Sequence, residues 1–231
     1  MKVYVTEGDI VNAGTSYLGL QPLLADGTLS AQQTWNVYVG SFNIDVAETP
    51  HGAPQSYLAF CVDPWNWSSS TQLAYHQVNL AGMSLPIHPT YDETMLASHA
   101  NEIAALYSNY YAGTVGNTAK SAAFQLALWE IVSDDDVKKV AATNTTIWND
   151  GQAILSALEA SNFAMGGEQY EVTAYYADRG GNGKQIAGQN YLVATEIAEP
   201  QGSSTAVPEP GTLALVGLGL AGMCRLRRRN A

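Results

Sequence analysis

The chemistry on offer in this chain is carried by two side chains, the thiol of Cys61 and the primary amide of Gln125. Gln125 lies in the run Ala122-Ala123-Phe124-Gln125-Leu126-Ala127-Leu128-Trp129-Glu130-Ile131-Val132, which contains no Gly or Pro and predicts a helix. On that helix Ala122, Gln125, Leu126, Trp129 and Val132 share one face, and Phe124, Leu128 and Ile131 make the opposite side apolar too. A helix that is apolar all round is normally buried. An unpaired amide inside it costs about 1–3 kcal/mol, so Gln125 needs a partner. The best candidate is Cys61, in the run Ser56-Tyr57-Leu58-Ala59-Phe60-Cys61-Val62-Asp63-Pro64-Trp65. Residues 57 to 62 predict a buried strand ending before Pro64, which cannot donate to a ladder.

Together, Phe60-Cys61-Val62 and Phe124-Gln125-x-Ala127-Leu128-Trp129 resemble the two motifs of the thioester domains of bacterial surface proteins. The resemblance covers residues 30 to 197. It implies that the Cys61 thiol attacks the Gln125 amide, expels ammonia and leaves an internal thioester. An amine on a surface or matrix polymer would then attack the Gln125 carbonyl, release Cys61 and remain joined through an amide. That is single-use chemistry, so no enzyme is expected, and no cofactor. Asp63, Tyr57 and Glu130 are near in sequence, and nothing favours one of them as an assisting group. Burial is expected to shield the thioester from water. Cys61→Ala is expected to cost on the order of 1 kcal/mol, with Gln125→Ala nearly neutral.

Two other readings use the same residues. A strand Cys is commonly a small buried hydrophobe, and a buried Gln a satisfied amide. Cys61 and Gln125 would then be structural, in a non-reactive extracellular matrix or carbohydrate-binding protein. A cysteine hydrolase would pair Cys61 with His76, His88 or His99. Those histidines sit in loop or amphipathic contexts, and no Gly-rich nucleophile elbow surrounds Cys61.

Composition bounds the setting. Hydrophobic residues make up 46% of the 231 and charged residues 13%, which predicts a globular rather than a disordered chain. The net charge of −11 argues against nucleic acid as a partner, since phosphate contacts need a basic face. Four basic residues, Arg225, Arg227, Arg228 and Arg229, crowd the last seven positions; without them the remainder is at −15, four below the whole-chain −11. The only other cysteine, Cys224, lies in an apolar tail, so a disulfide to Cys61 is implausible. In an exported protein an unpaired thiol is either eliminated or used.

The elements that must position the pair come next. Residues 34 to 47 alternate and are rich in β-branched and aromatic types, predicting a strand or hairpin ahead of the Cys61 strand. Residues 92 to 111 predict a helix, broken by residues 113 to 117; Asn117 is the expected N-cap of the Gln125 helix. A third helix is expected over 146 to 163, then strands over 169 to 178 and 186 to 198 around Gly180-Gly181-Asn182-Gly183. For Trp65 and Trp67 three readings stand open: they wall the reactive centre, touch a ligand, or are plain surface aromatics. Asp134-Asp135-Asp136 lacks EF-hand spacing, and no metal site is expected. The order of strands, helices and strands predicts an α+β class: a β-rich domain with a helical insertion, followed by a linker and a C-terminal apolar helix.

The expected domains are 1–198, a linker at 199–207, and a sorting and anchor signal at 208–231. That signal reads Val207-Pro208-Glu209-Pro210, an apolar run over 211 to 224, and the arginine end. The run is short for a lone membrane helix, and its arginines favour a cytoplasmic end. The tail resembles the PEP-CTERM sorting signal of Gram-negative bacteria. That implies recognition by an exosortase-type processing enzyme and membrane anchoring through the C-terminal helix. Cleavage near Pro208-Glu209-Pro210 would follow, with delivery to the cell surface or extracellular matrix. Met1 to Asp9 lacks the apolar run of a secretory signal, so the true start is expected upstream.

Overall fold

The structure, a computed structural model, describes residues 1–20, 33–62, 69–82, 95–133, 138–139, 145–177 and 188–197. Its strands are β1 (Lys2–Leu20), β2 (Gln33–Ala47), β3 (Gln55–Cys61), β4 (Leu73–Asn79), β5 (Lys138–Lys139), β6 (Tyr170–Ala177) and β7 (Tyr191–Glu196). Between β4 and β6 come, among the described residues, three α-helices, α1 (Met95–Tyr110), α2 (Thr118–Ser133) and α3 (Thr145–Ala160). The chain is therefore β-rich with helices inserted between two β portions. The alternating run at residues 34 to 47 is a single strand, not a hairpin. Three strands went unread in the sequence, β1, β4 and the two-residue β5.

The strand order β2-β3-β7-β6-β4-β1 closes on itself because β1 also pairs with β2. All of these pairings are antiparallel. Six strands thus form a barrel, and β5 adds to the outer end of β1. Closure gives each of the six a paired neighbour on both sides, which limits the hazard of exposed strand edges. The long β1 manages this by bending: its register with β2 shifts between Glu7 and Ile10 and again between Val11 and Gly14.

Side-chain alternation along β3 and β7 splits the core in two. Ala59, Cys61, Tyr191 and Val193 belong to one cluster, with Ile44, Tyr75, Leu126 and Trp129. Phe60, Val62 and Leu192 belong to the other, with Ile103, Leu106, Phe124 and Leu128. Helix α2 contributes to both, which explains why it is apolar all round. Asn117 caps it as expected, accepting the Lys120 backbone N–H on its side-chain oxygen at 3.0 Å. On the far side α3 comes close at Gly151, where an added Cβ would lie 3.1 Å from the Leu126 Cβ and 3.2 Å from the Ala123 carbonyl oxygen.

Among the described residues, no helix is long and apolar enough to cross a membrane. The expected C-terminal apolar helix, the Asp134–Asp136 run, Trp65, Trp67, the Gly180–Gly183 turn and the 199–207 linker lie outside them. Residues Met1–Glu196 form one compact unit, separate from Ile197–Ala231.

Candidate functional site

The site is built at the end of β3, where its pairing with β2 ceases although β2 itself runs on beside β1. Pairing between them runs from Val46↔Gln55 to Ser41↔Phe60 and ends there. One residue on, the Val62 N–H donates to the Asn190 carbonyl, toward β7. Successive residues of a strand point their backbone groups to opposite sides, so Cys61 turns its N–H and C=O toward the β2 side. No β2 residue pairs with it there. Gln125 takes the place: its Oε1 accepts from the Cys61 N–H at 3.0 Å and its Nε2 donates to the Cys61 carbonyl at 2.6 Å. This orientation of the carboxamide is the one that makes both contacts donor–acceptor pairs. The amide mimics the peptide group of a missing strand.

Aromatic neighbours set this register. Phe60 and Phe124, each immediately before a site residue, pack with ring centroids 4.4 Å apart, and Tyr107 meets Phe124 edge-on at 5.0 Å. Cys61 and Gln125 are both fully buried. Cys61 is in no disulfide. Near Gln125 the helix presents another buried polar group, Ser121, whose hydroxyl donates to Ser41 at 3.2 Å; the Ser41 hydroxyl donates to the Val11 carbonyl at 2.9 Å. Gln125 and Ser121 thus tie one helix face to β1, β2 and β3.

The assisting groups suggested by sequence proximity fall elsewhere. Tyr57 is four residues back along β3, about 13 Å away at the usual strand rise. Glu130 lies five positions beyond Gln125, about 140° round the helix. Asp63 is outside the described residues. Sequence reasoning missed Tyr191 and Glu7. Tyr191 is directly opposite Cys61 in the β3–β7 register, fully buried, and its hydroxyl donates to Glu7 Oε2 at 2.5 Å. The same carboxylate oxygen accepts the Ser69 backbone N–H at 3.1 Å. Burial pushes the Tyr191 phenol far above the usual range, and nearby Tyr75, Glu7 and Cys61 add to the rise. No local sequence signal marks these two, because the barrel's long-range pairing brings them in.

The histidines fare differently. The register chain Cys61–Tyr191–Tyr175–Gln77 puts those four on one face of the sheet. His76 therefore projects from the other face, where its ring stacks on Tyr176 at 4.9 Å. His99 pairs with Glu102 at 2.6 Å on α1, and His88 lies outside the described residues.

Comparison with known families adds one finding. A family model described as the PEP-CTERM protein-sorting motif matches residues 206–229. The chain carries a PEP-CTERM sorting motif. The match takes in Val207, Pro208, Glu209 and Pro210 together with Arg225, Arg227, Arg228 and Arg229. The motif implies an exported protein, recognised by an exosortase and anchored in the membrane before processing. No curated protein matches the chain.

Proposed function

We propose that residues 1–196 are a covalent adhesion module of this exported protein, carrying an internal thioester between Cys61 and Gln125. The reading is supported most by one observation, that both polar atoms of the Gln125 carboxamide are held by the backbone of the residue bearing the thiol. In the forming step the Cys61 sulfur bonds to the Gln125 acyl carbon. Negative charge gathers on Oε1, where the Cys61 N–H already points, as an oxyanion donor should. The carbon–nitrogen bond breaks, and the thiol proton leaves with the nitrogen as ammonia. Fixing the two groups in a dry core can supply about 7–11 kcal/mol of such a barrier. An amine on a partner polymer reverses the geometry: nitrogen bonds to the acyl carbon, the carbon–sulfur bond breaks, and the thiol returns. Amines carry positive charge in water, and the acidic chain, at −11 overall, draws them in. The reaction is used once per molecule, so the module is an adhesin rather than an enzyme. An exosortase would cut near Pro208-Glu209-Pro210 and pass the module to the cell surface or biofilm matrix.

A second reading is favoured by the same hydrogen bonds. Gln125 completes the side of β3 that β2 leaves at Cys61, which gives it a structural purpose with no reaction at all. The protein would then be a non-reactive matrix or carbohydrate-binding protein. Mass spectrometry of the fresh, unreduced protein separates the two. The thioester predicts a mass short by one ammonia, no titratable Cys61 thiol, and simultaneous gain of methylamine and of the thiol. A full-sequence mass with a freely titrating Cys61 leaves the structural reading standing.

A further inference from the structure

We propose that the hollow where α1, α2 and α3 meet is a docking cleft for an amino-sugar unit of the partner polymer. That the partner bears amines rests on the adhesion reading; the cleft itself does not depend on a bond between Cys61 and Gln125.

The hollow has a volume of about 440 Å³, within the range of small-molecule sites, about 300–1,000 Å³. It exists because its walls are made of residues with little or no side chain: Gly113 after α1, Ala119 and Ala123 on α2, and Ala153 on α3. An added Cβ at Gly113 would lie 3.4 Å from Lys120 Cδ and 3.7 Å from its Nζ, so the lysine stem lies across that glycine. Lys120 and Ala123 are three apart on α2, and Asp150 and Ala153 three apart on α3, so each helix turns one face to the hollow. Gln125 is two positions beyond Ala123, about 200° round the helix, and faces the other way.

Three side chains bring polar groups to this space, Tyr110, Lys120 and Asp150. Lys120 and Asp150 are exposed and Tyr110 is half-buried, so all three are reached from solvent. Among the described residues, no ion pair or hydrogen bond engages the Lys120 ammonium, the Asp150 carboxylate or the Tyr110 hydroxyl. The fourth polar wall residue, Asn109, is committed: its amide donates to the Ala105 and Ala164 carbonyls, and its oxygen accepts the Gly166 N–H.

A cation and an anion that share one hollow without pairing suit a ligand with donors and acceptors close together. A sugar ring has that pattern. Its hydroxyl oxygens accept from Lys120, its donors meet Asp150, and its C–H face packs on the aromatic ring of Tyr110. The net charge of −11 disfavours an acidic sugar and favours a cationic one, which assigns an amino group to Asp150.

The test uses the full chain carrying Cys61→Ala, which cannot capture an amine covalently, so that binding reads the cleft alone. The probes are a short oligomer of glucosamine and its N-acetylated and glucose counterparts, titrated by calorimetry at fixed salt. The glucosamine oligomer should bind on the order of tenfold more tightly than either counterpart, as one hydrogen bond between charged groups predicts. Asp150→Asn should erase that preference. Ala153→Trp alters no charge and fills the hollow, and should abolish binding. Loose attraction of a cation to an acidic chain would survive Ala153→Trp, so undiminished binding there overturns the cleft. Equal affinity for the three probes, or none for any, overturns it as well. If Ala153→Trp fails to fold, by circular dichroism, Asp150→Asn decides. A chain with Cys61 intact that never loses ammonia overturns the thioester and leaves these results standing.

Discussion

Gln125→Ala is the substitution on which the site's geometry makes its strongest demand. The sequence alone led to near-neutrality, on the view that removing a buried amide removes its own need for a partner. The hydrogen bonds reverse that expectation. Both partners of the amide are backbone groups of a fully buried residue, and truncation leaves them behind. Each orphaned buried group costs about 1–3 kcal/mol, so the pair should cost about 2–6 kcal/mol. A domain of this kind has about 5–15 kcal/mol in all, so the loss is large. Cys61→Ala keeps the backbone and both hydrogen bonds, and should lose about 1 kcal/mol for the vacated sulfur. The measurement compares Cys61→Ala with Cys61→Ala/Gln125→Ala by urea unfolding, which keeps any thioester out of the reference. The expected outcome is a midpoint shifted well down with the slope unchanged. A difference below about 0.5 kcal/mol, the range of ordinary surface changes, would refute the claim that Gln125 replaces a strand.

Asn117→Ala removes the side-chain acceptor at the start of α2 and should cost about 1 kcal/mol in the same unfolding assay; a change indistinguishable from zero would mean Asn117 does not hold the helix end. The tyrosines set an alkaline limit. Burial pushes Tyr175 up to about 12, and raises Tyr107 and Tyr191 as well, so folding holds these phenols neutral. Their contribution is complete below the ordinary value of 10.0 and is lost as pH climbs toward the folded values, because the unfolded chain releases those protons first. Stability of Cys61→Ala should thus be insensitive to these groups below pH 10 and fall above it. An ultraviolet titration in which all 13 tyrosines of the folded chain ionise together near 10 would sink this prediction.

What was legible in the sequence was local. The burial of α2, its Asn117 cap, the end of β3 at Cys61 and the helical insertion all follow from periodicity, capping chemistry and Pro64. The need of the buried Gln125 amide for a partner was legible too, but not that the backbone of Cys61, rather than its thiol, would meet it. β1 was not legible. Its run contains Gly8, Gly14 and Gly19, and two register shifts break the alternation that marks a strand. β4, Leu73–Asn79, mixes His76, Gln77 and Asn79 with only brief apolar stretches. Missing both strands hid the barrel, and with it Glu7 and Tyr191. Closure is a global property, and no window of a dozen residues contains it.

The substitution of a side chain for a strand at the end of β3 also fixes an order in time. Cys61 and Gln125 are 64 positions apart in sequence. Tyr191, opposite Cys61, belongs to the last strand of the barrel, and its carboxylate partner Glu7 to the first, 184 positions away. Contacts that span such lengths come late, since loop closure must precede any gain from them. While the chain is still unfolded, the thiol and the amide are strangers in water. They become neighbours only when β3 and the central helix have packed together. Folding is itself the event that brings the pair together.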